Sequence, residues 1–141
     1  VINGNGATIT TEGGQTAHNW AITIEGTSNL VINDVNFVSD GSGIALKQQS
    51  GDGYTVTLDG CSFTDYKTSV QLFHIGSGEI ANCRFDSQDV DISITGATGR
   101  VVIENNDYTA SPSVENIGIG GTYNQQKNVI INDENITVNH Y

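Results

Sequence analysis

Basic residues are scarce in this chain. Its 141 residues hold 5 Lys and Arg against 16 Asp and Glu, a net charge of −11. Nucleic acid and anionic membrane are excluded as partners, because binding them needs a basic footprint. Polyanions such as pectate are disfavoured by the same repulsion. No apolar run approaches the roughly 18 residues of a membrane span, so no membrane insertion is expected. No secretory leader is visible, and the chain opens on Val rather than Met. A trimmed piece of something longer is therefore expected. Two cysteines do not make a disulfide framework and leave the redox compartment open. His18, His74 and His140 share no metal spacing, so no zinc site is expected. "GNG" and "GGT" are followed by no helix pattern, which excludes a phosphate-binding helix terminus. No helical apolar stripe of useful length occurs. Length alone makes residues 1–141 one domain.

What the chain does have is a repeat. Five phrases align on a closing large residue: "LVINDVNF" at Phe37, "VTLDGCSF" at Phe63, "GEIANCRF" at Phe85, "VVIENNDY" at Tyr108 and "VIINDENI" at Ile136. Five residues earlier stand Ile32, Leu58, Ile80, Ile103 and Ile131. Three residues earlier stand Asp34, Gly60, Asn82, Asn105 and Asp133, types that tolerate left-handed backbone at a bend. A second phrase follows or precedes each: "ITI" at 22–24, "IAL" at 44–46, "VQL" at 70–72, "ISI" at 92–94 and "IGI" at 117–119. Alternation at period two makes all of these strands with one buried face.

An antiparallel sandwich would not need the same bend residue at the same offset five times. Units of 22–28 residues stacked in register make an all-β, right-handed parallel β-helix, a solenoid of about six short coils. At about 4.8 Å per coil the rod is roughly 25–30 Å tall. The expected inward ladders are Ile32–Leu58–Ile80–Ile103–Ile131, Phe37–Phe63–Phe85–Tyr108–Ile136 and Ile24–Leu46–Leu72–Ile94–Ile119. Cys61 and Cys83 fall on one rung position of adjacent coils, after Val35. Parallel Cα–Cβ vectors about 4.8 Å apart suit two buried free thiols better than a disulfide, whose Cβ atoms sit near 3.8 Å. The same row continues as Asn106 and Glu134. An inward Glu is costly, so either the last coil slips its bend or Glu134 lies at an open end.

The opening "INGNGATI" at 2–9 and the repeated V-x-[IL]-x-[ND]-x-x-F phrase resemble the pectate-lyase-like β-helix superfamily. That superfamily includes pectate lyases, phage tailspikes and bacterial surface adhesins. The resemblance covers nearly the whole chain and implies the fold, with a fibre or adhesin setting outside the cell, at a cell surface or on a virion. It carries over no catalytic motif: the paired "DD", "GHG" and "RIK" signatures are absent. Only Arg84 and Arg100 could serve as a lyase arginine, and neither stands in a motif.

Three groups of residues are candidates for function. Asp59, Glu79 and Glu104 converge on the outward face of the first strand. Asp59 and Glu104 are two rungs apart, about 9.6 Å, at the edge of the spacing used by inverting glycosidases. Three acids could also hold calcium; the plain alternative is a solvated acidic face. "DSQDVD" at 86–91 is acid-rich but lacks the pattern of a calcium loop. Val31, Val102 and Ile130 stand on an outward row that should be polar. They are either covered by a loop or form a contact with another subunit, as in a homotrimer or an end-to-end stack. Aromatics in or beside turns, Trp20, Tyr54, Tyr66, Phe73 and Tyr123, with Asn124 and Gln125, suit stacking on sugar rings and bonding to hydroxyls. The alternative is that Trp20 plugs the stack end and the tyrosines cover turns.

These features point first to a non-catalytic extracellular module of a surface adhesin or fibre that binds glycan or a host surface. The second reading is a glycosidase or lyase for a neutral polysaccharide, using Asp59, Glu79 and Glu104. The third is a spacer or oligomerisation segment.

Overall fold

The computed structural model describes residues 1–12, 20–109 and 114–141. Among these the chain is a parallel β-helix of about five turns. One sheet is built from β1 (Ile2–Thr11) and β3 (Leu30–Ser39), which then divides into two limbs. The first limb continues through β5 (Thr55–Asp59), β8 (Ser77–Ala81), β11 (Val101–Glu104) and β14 (Val129–Ile131). The second continues through β6 (Ser62–Thr64), β9 (Arg84–Asp86) and β12 (Asp107–Tyr108). The other sheet, called sheet two below, stacks β2 (Trp20–Glu25), β4 (Ile44–Ser50), β7 (Thr68–Phe73), β10 (Val90–Thr95), β13 (Glu115–Gly120) and β15 (Val138–His140). All pairings are parallel.

The bend between the two limbs is made where expected. Asp34, Gly60, Asn82 and Asn105 have φ of 53°, 66°, 54° and 56°. Gly60 has a second reason to be glycine: a Cβ there would lie 2.5 Å from Asp34 Oδ1. In the last coil the left-handed residue is Asn135, φ 58°, two positions beyond Asp133. The bend has slipped, and Glu134 is exposed.

Of the three expected ladders one forms in full and a second forms as far as Tyr108. Ile32 pairs with Leu58, Leu58 with Ile80, Ile80 with Ile103 and Ile103 with Ile131. Phe37, Phe63 and Phe85 stack with centroids 5.0 Å apart and planes within 4°, and Tyr108 follows at 5.5 Å. The second limb ends at β12, so the last coil is incomplete. Ile136 packs half-buried against the core from the slipped turn rather than joining the stack. Burial of each such side chain contributes about 1.5–3 kcal/mol against chain entropy.

The third ladder is corrected. Leu46 pairs with Ile22 and Val70, and Ile24 with Gln48, so β4 sits two residues away from its expected register. The true rows are Ile22–Leu46–Val70–Ile92–Ile117–Val138 and Leu72–Ile94–Ile119–His140. The cause is Gln48. Its side chain takes the inward slot beside Ile24 and satisfies its amide by donating to the Gly51 carbonyl at 2.8 Å. Apolar Ile44, opposite Trp20, is left half-buried.

The cysteines are free and buried. Cys61 Sγ faces the Ile32 carbonyl at 3.5 Å, and Cys83 Sγ donates to the Ala81 carbonyl at 3.1 Å. Asn106 completes their row by accepting the Cys83 N–H at 2.9 Å.

One corner of the core is polar. Ser69 and Asp91 are fully buried, and Ser87 and Asn116 nearly so. The Ser69 and Ser87 hydroxyls meet at 2.5 Å. Asp91 accepts from the Ser87 N–H at 3.2 Å and from Asn116 Nδ2 at 2.8 Å, and Asn116 Oδ1 accepts from the Thr137 N–H at 2.9 Å. Burial pushes the Asp91 carboxyl above its ordinary range, against the pull of these donors.

Candidate functional site

The register puts the acids where the spacing placed them. Asp59 pairs with Ala81 and Ala81 with Glu104; Glu79 stands in the adjoining row between Thr57 and Val102. Asp59 and Glu104 are thus two rungs apart on one face. Each has an amide partner from the next coil: Asn82 Nδ2 donates to Asp59 Oδ1 at 2.8 Å, and Asn132 Nδ2 to Glu104 Oε2 at 3.3 Å. Among the described residues no group of three or more His, Cys, Asp and Glu is arranged to hold a metal ion.

Val31, Val102 and Ile130 do share the outward row, but all three are half-buried. Thr57 and Glu79 interrupt them. The row is therefore no continuous apolar stripe.

The aromatic set divides. Tyr54 and Tyr66 offer no ring face to a ligand, because both are 0% exposed. Tyr54 donates its hydroxyl to the Phe73 carbonyl at 2.9 Å, and Tyr66 Oη lies 2.6 Å from Thr11 Oγ1. Burial pushes both phenols up. They are posts that tie turns to the core. Trp20 is half-buried at the start of β2 with Lys47 Nζ 4.0 Å from its ring centroid. Contrary to the sequence expectation, a helix does follow "GGT": Tyr123 opens the four-residue α1 (Tyr123–Gln126) with Thr122 as its cap, is 75% exposed, and has Lys127 Nζ at 4.6 Å from its ring. Asn124 is exposed beside it. Gln125 is committed to a capping box with Thr122, accepting the Thr122 N–H at 2.9 Å. Trp20 and Tyr123 do not share a site: four strand steps separate their coils, about 19 Å along the axis. His18 lies outside the described residues.

The composition of a different surface stands out. The outward row of sheet two reads Thr23, Lys47, Gln71, Ser93, Gly118 and Asn139, joined rung by rung. None of the six is acidic. Trp20 borders this row through its contact with Lys47, and half-buried Phe73 borders it beside Thr95. Asp59, Glu79 and Glu104 lie on the first limb and Asp86 and Asp107 on the second; sheet two holds Glu25, Asp91 and Glu115, none of them a member of this row. The alternate positions of the "VQL", "ISI" and "IGI" phrases already hold this row. The two-residue offset of β4 concealed Lys47 as its member.

At the last rungs Gly118 is buried although it faces outward. The Tyr141 ring and the Glu115 carboxylate cover it; Tyr141 Cε2 lies 3.3 Å from where a Cβ would stand. Tyr141 donates its hydroxyl to Glu115 Oε2 at 2.5 Å. That bond to a carboxylate pushes the exposed phenol up.

A cavity of about 480 Å³ lies where sheet two ends at β2, lined by Ile22, Ile24, Glu25, Ser28, Asn29 and Leu30. Comparison of the chain with protein-family profiles, with curated proteins and with solved structures finds no match.

Proposed function

We propose that this chain is a non-catalytic β-helix module that binds a neutral glycan on the outer face of sheet two. The observation that carries the reading is the acid-free row Thr23–Lys47–Gln71–Ser93–Gly118–Asn139 on a chain of net charge −11. The hydroxyl and amide groups of Thr23, Gln71, Ser93 and Asn139, on rungs about 4.8 Å apart, can bond to sugar hydroxyls. The rings of Trp20 and Phe73 at its borders supply apolar faces of the kind that pack on sugar rings. A neutral polymer pays no electrostatic penalty on approach, unlike a polyanion. The setting this reading implies is a surface adhesin or fibre of the pectate-lyase-like kind, outside the cell. A glycan array probed with the wild-type chain, Trp20→Ala and Gln71→Ala tests it. Binding to a neutral glycan that both substitutions weaken supports the reading. Binding that neither substitution alters removes its site.

A second reading is hydrolysis of such a polymer by the acids of the first limb. The two-rung separation of Asp59 and Glu104 favours it, being close to that of inverting carboxylate pairs. Turnover of a bound glycan that is lost in Glu104→Gln would establish it.

A further inference from the structure

Gly118 lies in the acid-free row, between Ser93 on one side and Asn139 on the other. Having no side chain, it leaves a patch of backbone there, and the Glu115 carboxylate and the Tyr141 ring lie across that patch. The Tyr141 hydroxyl takes one oxygen of Glu115. The other, Oε1, is enclosed and has no hydrogen-bond partner. A carboxylate oxygen shut away from water without a donor is costly and calls for an explanation.

The backbone of Tyr141 is held independently of its ring. Its N–H donates to the Ile119 carbonyl at 2.9 Å, and its carbonyl accepts from Gln126 Nε2 at 2.7 Å. The residue is 71% exposed. Rotation of the side chain alone would uncover the Glu115 carboxylate where it lies on Gly118, while β15 stays paired.

We infer that Gly118 and Glu115 form a subsite for a hydroxyl-bearing ring, and that Tyr141 occupies it as an internal competitor. The ring of Tyr141 takes the place of a sugar ring lying on the glycine backbone, and its phenol that of a sugar hydroxyl donating to the carboxylate. A sugar with two neighbouring hydroxyls would satisfy both oxygens, including the one Tyr141 leaves unpaired. The identity of the ligand as a sugar rests on the glycan reading above; the occupied subsite itself does not.

The test is amide NMR on the whole chain, wild type and Tyr141→Ala, titrated with p-cresol and with a panel of neutral oligosaccharides. p-Cresol, the tyrosine side-chain analogue, is expected to shift the Gly118 amide in Tyr141→Ala and not in wild type. An oligosaccharide that binds wild type is expected to bind Tyr141→Ala about tenfold tighter, the gain when a binding-competent fraction of about one-tenth becomes one. A Gly118 amide that p-cresol leaves unmoved in a folded Tyr141→Ala overturns the subsite. Oligosaccharide binding weakened by Tyr141→Ala overturns the competitor role and makes Tyr141 part of the platform. If p-cresol shifts Gly118 but no oligosaccharide binds either protein, the subsite stands and the glycan reading falls.

Discussion

The Tyr108 hydroxyl donates to Asp133 Oδ2 at 2.7 Å, and this bond closes the aromatic stack where its limb ends. Asp133 also accepts from the Asn106 N–H at 3.2 Å and from Asn106 Nδ2 at 3.0 Å. A residue expected to make the bend instead turns inward, and the bend moves to Asn135. Asp133→Ala leaves three donors without their acceptor and is expected to cost about 2–3 kcal/mol; Tyr108→Phe removes one bond and should cost about 1 kcal/mol. Urea midpoints compare the two. Equal costs would show that the Asn106 bonds add nothing.

The left-handed bends give a second expectation. Gly60→Ala forces a side chain into φ 66° and against Asp34 Oδ1, and should cost at least about 1–2 kcal/mol. Asn82→Gly keeps a tolerant residue at φ 54° and loses only the exposed bond to Asp59, so its cost should stay near or below about 1 kcal/mol. A reversed order of the two melting temperatures would contradict the bend assignment.

Asp91 sets an unusual pH dependence. Its folded pKa is raised by burial, so folding favours the protonated form. Its contribution to stability is fully present below the ordinary carboxylate range and is lost as pH rises through its folded pKa. Relative to Asp91→Asn, the wild type should therefore lose stability as pH rises from about 4 toward neutrality. Urea unfolding of both proteins across that range measures the difference. A difference that does not change with pH would mean that the corner donors fully offset the burial.

Cys61 and Cys83 should react with a thiol reagent only after unfolding. Both are buried, at 1% and 2% exposure, and the neighbouring Cys61 thiol together with burial pushes the Cys83 thiol up. The titration should find two thiols in denaturant and none reacting promptly in the native protein. Absence of both in denaturant would indicate a disulfide instead.

The parts of the fold legible in the sequence were those where one residue type repeats at one offset. Phe37, Phe63 and Phe85, their isoleucine and leucine partners, and the bends at Asp34, Gly60, Asn82 and Asn105 recur from coil to coil and fell into register; the last coil, with its bend at Asn135 instead of Asp133, did not. What failed involved polar residues in apolar slots. Gln48 is buried because its amide finds the Gly51 carbonyl, a bond that hydropathy cannot reveal, and this shifted β4 by two positions. Tyr54 and Tyr66 read as turn aromatics, yet their hydroxyls reach oxygen partners that let the rings sink into the core. The acid row was legible because it follows from register alone. The neutral row of sheet two was not assembled, because it depends on the placement of β4.

The most direct measurement is the affinity for a neutral glycan of four proteins: wild type, Gln71→Ala, Asp59→Asn and Glu104→Gln. Binding by the outer face of sheet two requires that Gln71→Ala weaken the complex, by about fivefold or more for the loss of roughly 1 kcal/mol of hydrogen bonding. The two acid substitutions should leave it unchanged. Affinity lost in Asp59→Asn or Glu104→Gln and retained in Gln71→Ala would place the ligand on the acidic face and contradict the proposal.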